Sequence, residues 1–370
     1  MAKVRIGVIG SSWWADAMYL PPLANYEGVE VTAVCGRNRD RAQTFADRWQ
    51  IPYVFTEYQA LIDSGACDAV IIATINDTHY DISMAAIGAG LHVLCEKPLS
   101  LNYELAEKMT RLADEKGVIT LVPFTYRYMP STRYVKQLID EGFLGKPYHL
   151  HMRYYAGFGR VNEGYNWRFD VGKAGSGALG DIASHFLHLA VWFYGEVDAV
   201  CSQLGQMVER DTVNKEGEAY EVADDTAMLM LRFKNGAQGM VHATTLAYEE
   251  TEFFQTHEMD FHGSGGTLRN KIDWLNTQEV TGARDGEGFS RKFEIPDEYW
   301  GDARREVVVE TYKDMFRQEG FMVREFVDAV ANKRPLNPNF QDGLDVQAII
   351  DAAILSQKEQ RWVRLSEISG

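Results

Sequence analysis

The first third of the chain alternates short apolar runs with stretches of helical spacing. The runs are Val4–Ile9, Val29–Cys35, Ala69–Thr74, His92–Cys95 and Val118–Pro123. Strands that are apolar along their length are buried on both faces, the habit of parallel sheets. Between the runs, Ala42, Phe45, Ala46 and Trp49 share one face of a helix over 39–49. A helix also begins near Ala15, and residues 78–90 and 103–116 read as helices, the former closing on Gly90. Strand and helix at this period predict a doubly wound parallel sheet, an α/β domain over residues 1–123.

After residue 123 the texture changes. Residues 146–156, 197–208, 226–234, 237–246 and 257–263 read as strands, joined by turns such as Lys234-Asn235-Gly236, a hairpin signal. A glycine-rich stretch over 172–180 leads into a helix over 181–194, and helices return near 318–333 and 343–359. Residues 209–221 and 281–306 are polar and read as loops. Residues 124–370 therefore predict a second, α+β domain with a mainly antiparallel sheet.

Composition narrows the function. With 37 Lys plus Arg against 53 Asp plus Glu, the 370-residue chain carries a net charge of −16, which argues against nucleic acid and anionic membranes as partners. It leaves room for an anionic cofactor held by a few local groups. Cys35, Cys67, Cys95 and Cys201 form no CxxC pair and lie in apolar runs, so they read as core residues of a reducing compartment. The N-terminus has no signal-peptide pattern and no apolar stretch reaches membrane-spanning length, so a cytoplasmic protein is expected.

The first candidate site is the turn after the first strand, Gly10-Ser11-Ser12-Trp13-Trp14-Ala15. A tight turn between strand and helix N-terminus suits a pyrophosphate, held by backbone N–H groups and the helix dipole. The G-x-G-x-x-G/A fingerprint is broken by Ser12, so taken alone the turn is also compatible with a plain strand–helix connection. The second strand ends in Gly36-Arg37-Asn38 rather than in the acid that holds the ribose of NAD, and Arg37, with Arg41 behind it, suits the 2′-phosphate of NADP. On the predicted helix over 181–194, Asp181 and His185 stand four apart and share a face, a pairing suited to proton exchange near neutral pH.

Two further segments carry a family resemblance: Ala73-Thr74-Ile75-Asn76-Asp77-Thr78-His79, and Gly90-Leu91-His92-Val93-Leu94-Cys95-Glu96-Lys97-Pro98. Together with the glycine-rich run Gly175–His185, containing Asp181, they resemble the glucose–fructose oxidoreductase / inositol dehydrogenase / MocA (Gfo/Idh/MocA) family of NAD(P)-dependent oxidoreductases. The resemblance covers nearly the whole chain, with departures at Ile75, Ser176, Ala183 and His188. It implies a Rossmann domain, then a substrate domain whose open sheet pairs subunits into a homodimer or homotetramer. It implies hydride transfer between nicotinamide and a secondary alcohol or ketone of a sugar, cyclitol or sugar derivative. Lys97 and His185 would flank the reacting carbon, with His185 as general acid/base, Asp181 orienting it or gripping a neighbouring hydroxyl, and Lys97 polarising the oxygen. Thr74, Asn76, His79, Glu96, Lys97 and Arg168 join Gly10, Ser11, Ser12, Trp13, Trp14, Arg37, Asn38 and Arg41 as expected cofactor contacts, with NADP favoured over NAD. Phe124, Arg127, Tyr155 and Trp167 join Asp181 and His185 as expected substrate contacts, and the peptide bond before Pro98 is expected to be cis.

Two other readings stay open. Asp181, His185 and His188, at i, i+4 and i+7, suit a metal-dependent sugar isomerase or hydrolase, although the oxidoreductase reading needs no metal. A non-catalytic cofactor or sugar sensor on the same fold is the third.

Overall fold

The computed structural model describes residues 3–370. Two compact units emerge. The first contains the chain up to Pro123 together with Lys313–Leu344, and the second contains Phe124–Tyr312 and Asp345–Gly370. A division at 123/124 alone thus misses two crossings, because residues 313–344 return to the first unit. The reason is packing. The helix Met322–Asn332 buries Met322, Val323, Phe326, Val327 and Val330, and it meets the strands of the first sheet. The Val122 N–H donates to the Pro338 carbonyl at 3.0 Å.

The first sheet has six strands: β1 (Val4–Ile9), β2 (Val29–Cys35), β3 (Tyr53–Phe55), β4 (Ala69–Ile72), β5 (His92–Cys95) and β6 (Thr120–Leu121). They pair in the order β3-β2-β1-β4-β5-β6, all parallel. The chain reverses its winding between β1 and β4, so the crevice at their carboxyl ends is where such a sheet takes a ligand. β4 is buried at every position, as its unbroken apolar run implies.

The second sheet has nine strands. They are β7 (Pro147–Tyr155), β8 (Val197–Gly205), β9 (Thr226–Phe233), β10 (Gln238–Thr244), β11 (Thr256–Gly263), β12 (Gly266–Asp273), β13 (Thr277–Arg284), β14 (Arg291–Phe293) and β15 (Val363–Arg364). The order is β14-β13-β12-β11-β7-β10-β9-β8-β15, antiparallel throughout except where β7 and β10 run parallel. One face is buried. Leu150, Met152 and Tyr154 of β7, Leu229 and Leu231 of β9, and Met259 and Phe261 of β11 lie on it, and the helix Ser184–Tyr194 packs against β7 and β10. The other face carries Met228, Met230 and Met240, exposed by 48%, 45% and 46%. Cys201 is half-buried, and Met230 pairs directly with both Cys201 and Met240, which places Cys201 on this outer face rather than in the core. All four cysteines are free.

β12, β13 and β14 fall where no strand, or a loop, is expected. Asn270 and Gln278 occupy core-facing positions and break the apolar alternation, and each makes a bond inside: Asn270 donates to the Thr132 hydroxyl at 3.2 Å, and Gln278 accepts from Ser131 at 3.2 Å.

Candidate active site

The loop after β1 is built as a close approach. Gly10 has φ +110°, and a Cβ there would lie 2.4 Å from the Ala73 carbonyl oxygen. Only glycine allows the turn to pass over the end of β4. Gly36 is constrained in the same way, since a Cβ there would meet the Ser11 hydroxyl at 2.6 Å. Ser12, in place of the second fingerprint glycine, caps the helix: its hydroxyl accepts from the Ala15 N–H at 3.2 Å. Trp13 is 64% exposed, while Trp14 packs edge-on against Phe316, 6.1 Å between ring centres, within the same unit. The helix runs through a π-helical turn at Ala15–Tyr19, and Tyr19 donates to a Glu96 carboxylate oxygen.

At the end of β2, Arg37, Asn38 and Arg41 are exposed. Asn38 caps the next helix, accepting from the Arg41 N–H at 2.9 Å. No carboxylate stands at positions 36–38. After β4, the Thr78 hydroxyl donates to that of Thr74 at 2.7 Å, and Asn76 is buried. His79, expected to touch cofactor, is fully enclosed. Its Nδ1 lies 3.0 Å from the Pro98 carbonyl, and Nε2 3.4 Å from that of Thr74. His79 therefore ties together the two loops that follow β4 and β5, and burial pushes its pKa down to about 4. Lys97 follows β5 at the carboxyl edge, its bond to Pro98 is cis, and its N–H donates to Glu96 at 3.2 Å. Burial raises the Glu96 pKa, against the pull of Lys97 and Tyr19.

In the second unit, Asp181 lies in a π-helical turn, Leu179–Ala183, that opens directly into the helix carrying His185 and His188. Such turns recur at functional sites. Arg168 faces Asp181 with 3.3 Å between Nε and Oδ2, and its guanidinium lies over the Trp167 ring at 4.6 Å. Trp167 and Arg168 line a cleft of about 400 Å3 with Phe158, Tyr165, Phe169 and Lys215. His185 is 6% exposed, and the Tyr126 ring lies 4.4 Å from its own. The Tyr126 hydroxyl meets that of Tyr154 at 2.8 Å, and both phenol pKa values are raised, chiefly by burial, with the Asp181 charge adding to it.

The other expected substrate contacts, Phe124, Arg127 and Tyr155, each meet partners of their own. Phe124 is buried and stacks flat on His188, 4.4 Å between ring centres. Arg127 lies over the Trp192 ring at 4.7 Å with Nη1 3.3 Å from His188 Nε2. His188 is thus held between an aromatic ring and a cation. Burial and Arg127 push its pKa well down, and it does not converge with Asp181 and His185 into a metal triad. Among the described residues no group of three or more His, Cys, Asp or Glu is placed to hold a metal ion. Tyr155 shares the outer sheet face with His242, whose Nδ1 meets its hydroxyl at 2.9 Å. Strand alternation sends Tyr154 inward to Tyr126 and Tyr155 outward. Tyr155, the expected contact, thus turns away from Tyr126, and its neighbour Tyr154 meets it instead.

Two family models match the chain. The oxidoreductase NAD-binding Rossmann model covers residues 4–124, and the oxidoreductase C-terminal α/β model covers 136–365. The chain belongs to the Gfo/Idh/MocA oxidoreductase family. Among relatives of this family member, levoglucosan dehydrogenase of Pseudarthrobacter phenanthrenivorans is 29% identical, with 100% of both chains covered. Myo-inositol 2-dehydrogenase of Thermotoga maritima is 25% identical, covering 99% of this chain and 100% of its own. The solved structure of levoglucosan dehydrogenase with NADH and levoglucosan matches with a TM-score of 0.86 at 26% identity, covering 98% of this chain and 99% of that one. Among the described residues no helix is long and apolar enough to cross a membrane.

Proposed function

We propose that this chain transfers a hydride between a nicotinamide dinucleotide and a secondary alcohol or ketone carbon of a sugar, cyclitol or sugar derivative. The observation that carries the reading is the Arg168–Asp181 pair at the head of the helix that bears His185. It supplies a charge-anchored carboxylate one turn before a histidine suited to proton transfer. Relatives that act on an anhydrosugar and on a cyclitol support the substrate class. The Gly10 turn is the cradle that fits the dinucleotide, because its backbone comes close to the sheet where a side chain would block it.

When bound, the dinucleotide supplies or takes up the hydride. The chain's own groups do the rest. His185 takes the hydroxyl proton during oxidation and returns it during reduction. Asp181 orients His185 or holds an adjacent hydroxyl, and Arg168 holds Asp181 in place. Lys97 stabilises negative charge on the substrate oxygen. The aromatic cleft beside Arg168 offers Trp167 and Tyr165 to the C–H faces of a ring.

We further propose that NADP(H) is preferred, because Arg37 is exposed where an NAD site would place an acid. Fluorescence titration with NADPH and NADH, followed by a sugar screen led by levoglucosan and myo-inositol, tests both readings. Arg37→Ala is expected to weaken NADPH about tenfold and to leave NADH within about twofold, as loss of one charge-assisted phosphate contact implies. Equal effects on both would refute the 2′-phosphate role, and binding of neither by the unaltered protein would refute the functional reading.

The outer face of the second sheet is proposed to pair with another copy, in a cytoplasmic homodimer or homotetramer. Three half-exposed methionines on adjacent strands leave an apolar patch that a partner sheet would cover. Met230→Asp, placed directly opposite Met240, is expected to give monomers by sedimentation velocity, and an unchanged assembly would remove this face from consideration.

A further inference from the structure

One residue outside the expected site takes up three successive backbone N–H groups at the head of the catalytic segment. Asp224 is buried and stands just before β9. Its Oδ1 accepts from the Gly177 N–H at 2.8 Å and its Oδ2 from the Leu179 N–H at 2.8 Å. Its own carbonyl accepts from the Ala178 N–H at 2.9 Å. Groups at a helix start otherwise lack partners, and a carboxylate there also suits the positive end of the helix dipole. The fit leaves no slack, because a Cβ on Gly177 would lie 1.7 Å from the Asp224 carbonyl oxygen. The next link is direct: the Asp181 N–H donates to the Gly177 carbonyl at 2.9 Å. The same stretch of chain braces the preceding segment, with Val171 N–H bonded to the Glu221 carbonyl at 2.9 Å and Ala223 N–H to that of Phe169 at 2.8 Å.

We propose that Asp224 is a positioning residue for the hydride-transfer reaction. Its carboxylate clamps the Gly177–Leu179 turn and so fixes Asp181 against Arg168 and sets the register of the helix carrying His185. Asp224 itself touches no substrate. This rests on the functional reading above for the chemistry, and on hydrogen bonds alone for the clamp.

The adjacent residue is a built-in control. Asp225 is also buried, but its carboxylate accepts from the Met207 and Val208 N–H groups at 3.0 and 2.9 Å and pairs with Arg210 at 3.7 Å, none of them in the 177–185 segment. Asp224→Asn keeps the shape while turning one accepting oxygen into an N–H donor that faces a backbone N–H. The expected result is a fall in kcat of about tenfold to a hundredfold on whichever sugar the unaltered enzyme turns over, with KM for the nucleotide unchanged. Hydrogen–deuterium exchange should accelerate over residues 177–185 and stay unchanged over 205–210. Asp225→Asn should show the reverse exchange pattern. Acceleration over 177–185 in both variants, or a kcat for Asp224→Asn within about twofold of the unaltered enzyme, would overturn the proposal. If Asp224→Asn is insoluble, Asp224→Ser, smaller and with a single hydroxyl acceptor, carries the same comparison. In the unaltered protein the amides of Gly177, Ala178 and Leu179 should be strongly protected, and rapid exchange there would defeat the clamp with no variant needed. An enzyme that turns over no sugar with either nucleotide would defeat the functional reading, and the exchange data would then decide the clamp by themselves.

Discussion

Lys97→Ala and His185→Ala are each expected to lower kcat by about 10²–10⁴-fold while dinucleotide binding stays within about tenfold, the range found when a general acid–base group is lost. The two losses have different origins. His185 sits under the Tyr126 ring at 4.4 Å and edge-on to Phe124 at 6.2 Å, so its imidazole is fixed before substrate arrives. Replacing it with alanine removes the proton acceptor and leaves a space that free imidazole can enter. Turnover of His185→Ala should therefore rise with added imidazole, whereas Lys97→Ala should not respond. Lys97 enters from β5, tied to Glu96 through its own N–H. Its loss should lower kcat and leave the pH at half-maximal rate unchanged. Full activity in either variant would remove that residue from the mechanism. A Lys97→Ala protein that no longer binds nucleotide would make Lys97 a binding residue instead.

The second large effect is acid destabilisation. His79 is held neutral with a pKa of about 4, and His257 is pushed to about 3, burial being the chief cause in both. The unfolded chain takes up these protons near the ordinary value of 6.5. Stability is therefore complete above pH 6.5 and is lost as pH falls from there toward 4. His79 alone accounts for about 3 kcal/mol over that window. Asp224 acts in the opposite direction. Burial raises its pKa to about 6 against the pull of the Leu179 and Gly177 N–H groups, so the folded state gains as pH falls from 6 toward its ordinary 3.8. His79, His257 and His188 oppose Asp224 and Glu96, and the histidines leave a net loss as pH falls to 4. Thermal unfolding should show Tm dropping steadily from pH 6.5 to 4, and His79→Asn, which keeps an N–H donor but does not titrate, should flatten that slope. A Tm independent of pH across the window would contradict the neutral buried histidines.

Much of the site was legible because its chemistry is local. The Gly10 turn, Lys97 before Pro98, and the Asp181–His185 spacing are each read within a few residues, and the local conformation follows: Gly10 at φ +110°, Lys97 just after β5, and Asp181 one turn before His185. Arg168 was singled out for cofactor, yet it meets Asp181, because the sequence cannot say which of two charges on separate turns will face each other. Asp224 was missed altogether. It follows Ala223 in a polar stretch 47 residues from Gly177 and carries no motif, and only a map of hydrogen bonds could find it.

The amino-acid sequence by itself determined the parallel sheet, since unbroken apolar runs admit only strands covered on both faces. It also determined the helix that carries Asp181 and His185, through apolar spacing led by a glycine-rich turn. Tertiary structure decided the return of residues 313–344 to the first unit, the outward turn of Tyr155 and the burial of Phe124 and His79. It also decided the strands β12 and β13, whose core-facing Asn270 and Gln278 bond to residues more than a hundred positions away. The physical reason is common to all of these: each is settled by partners distant in sequence, and a residue's own neighbours in the chain carry no record of them.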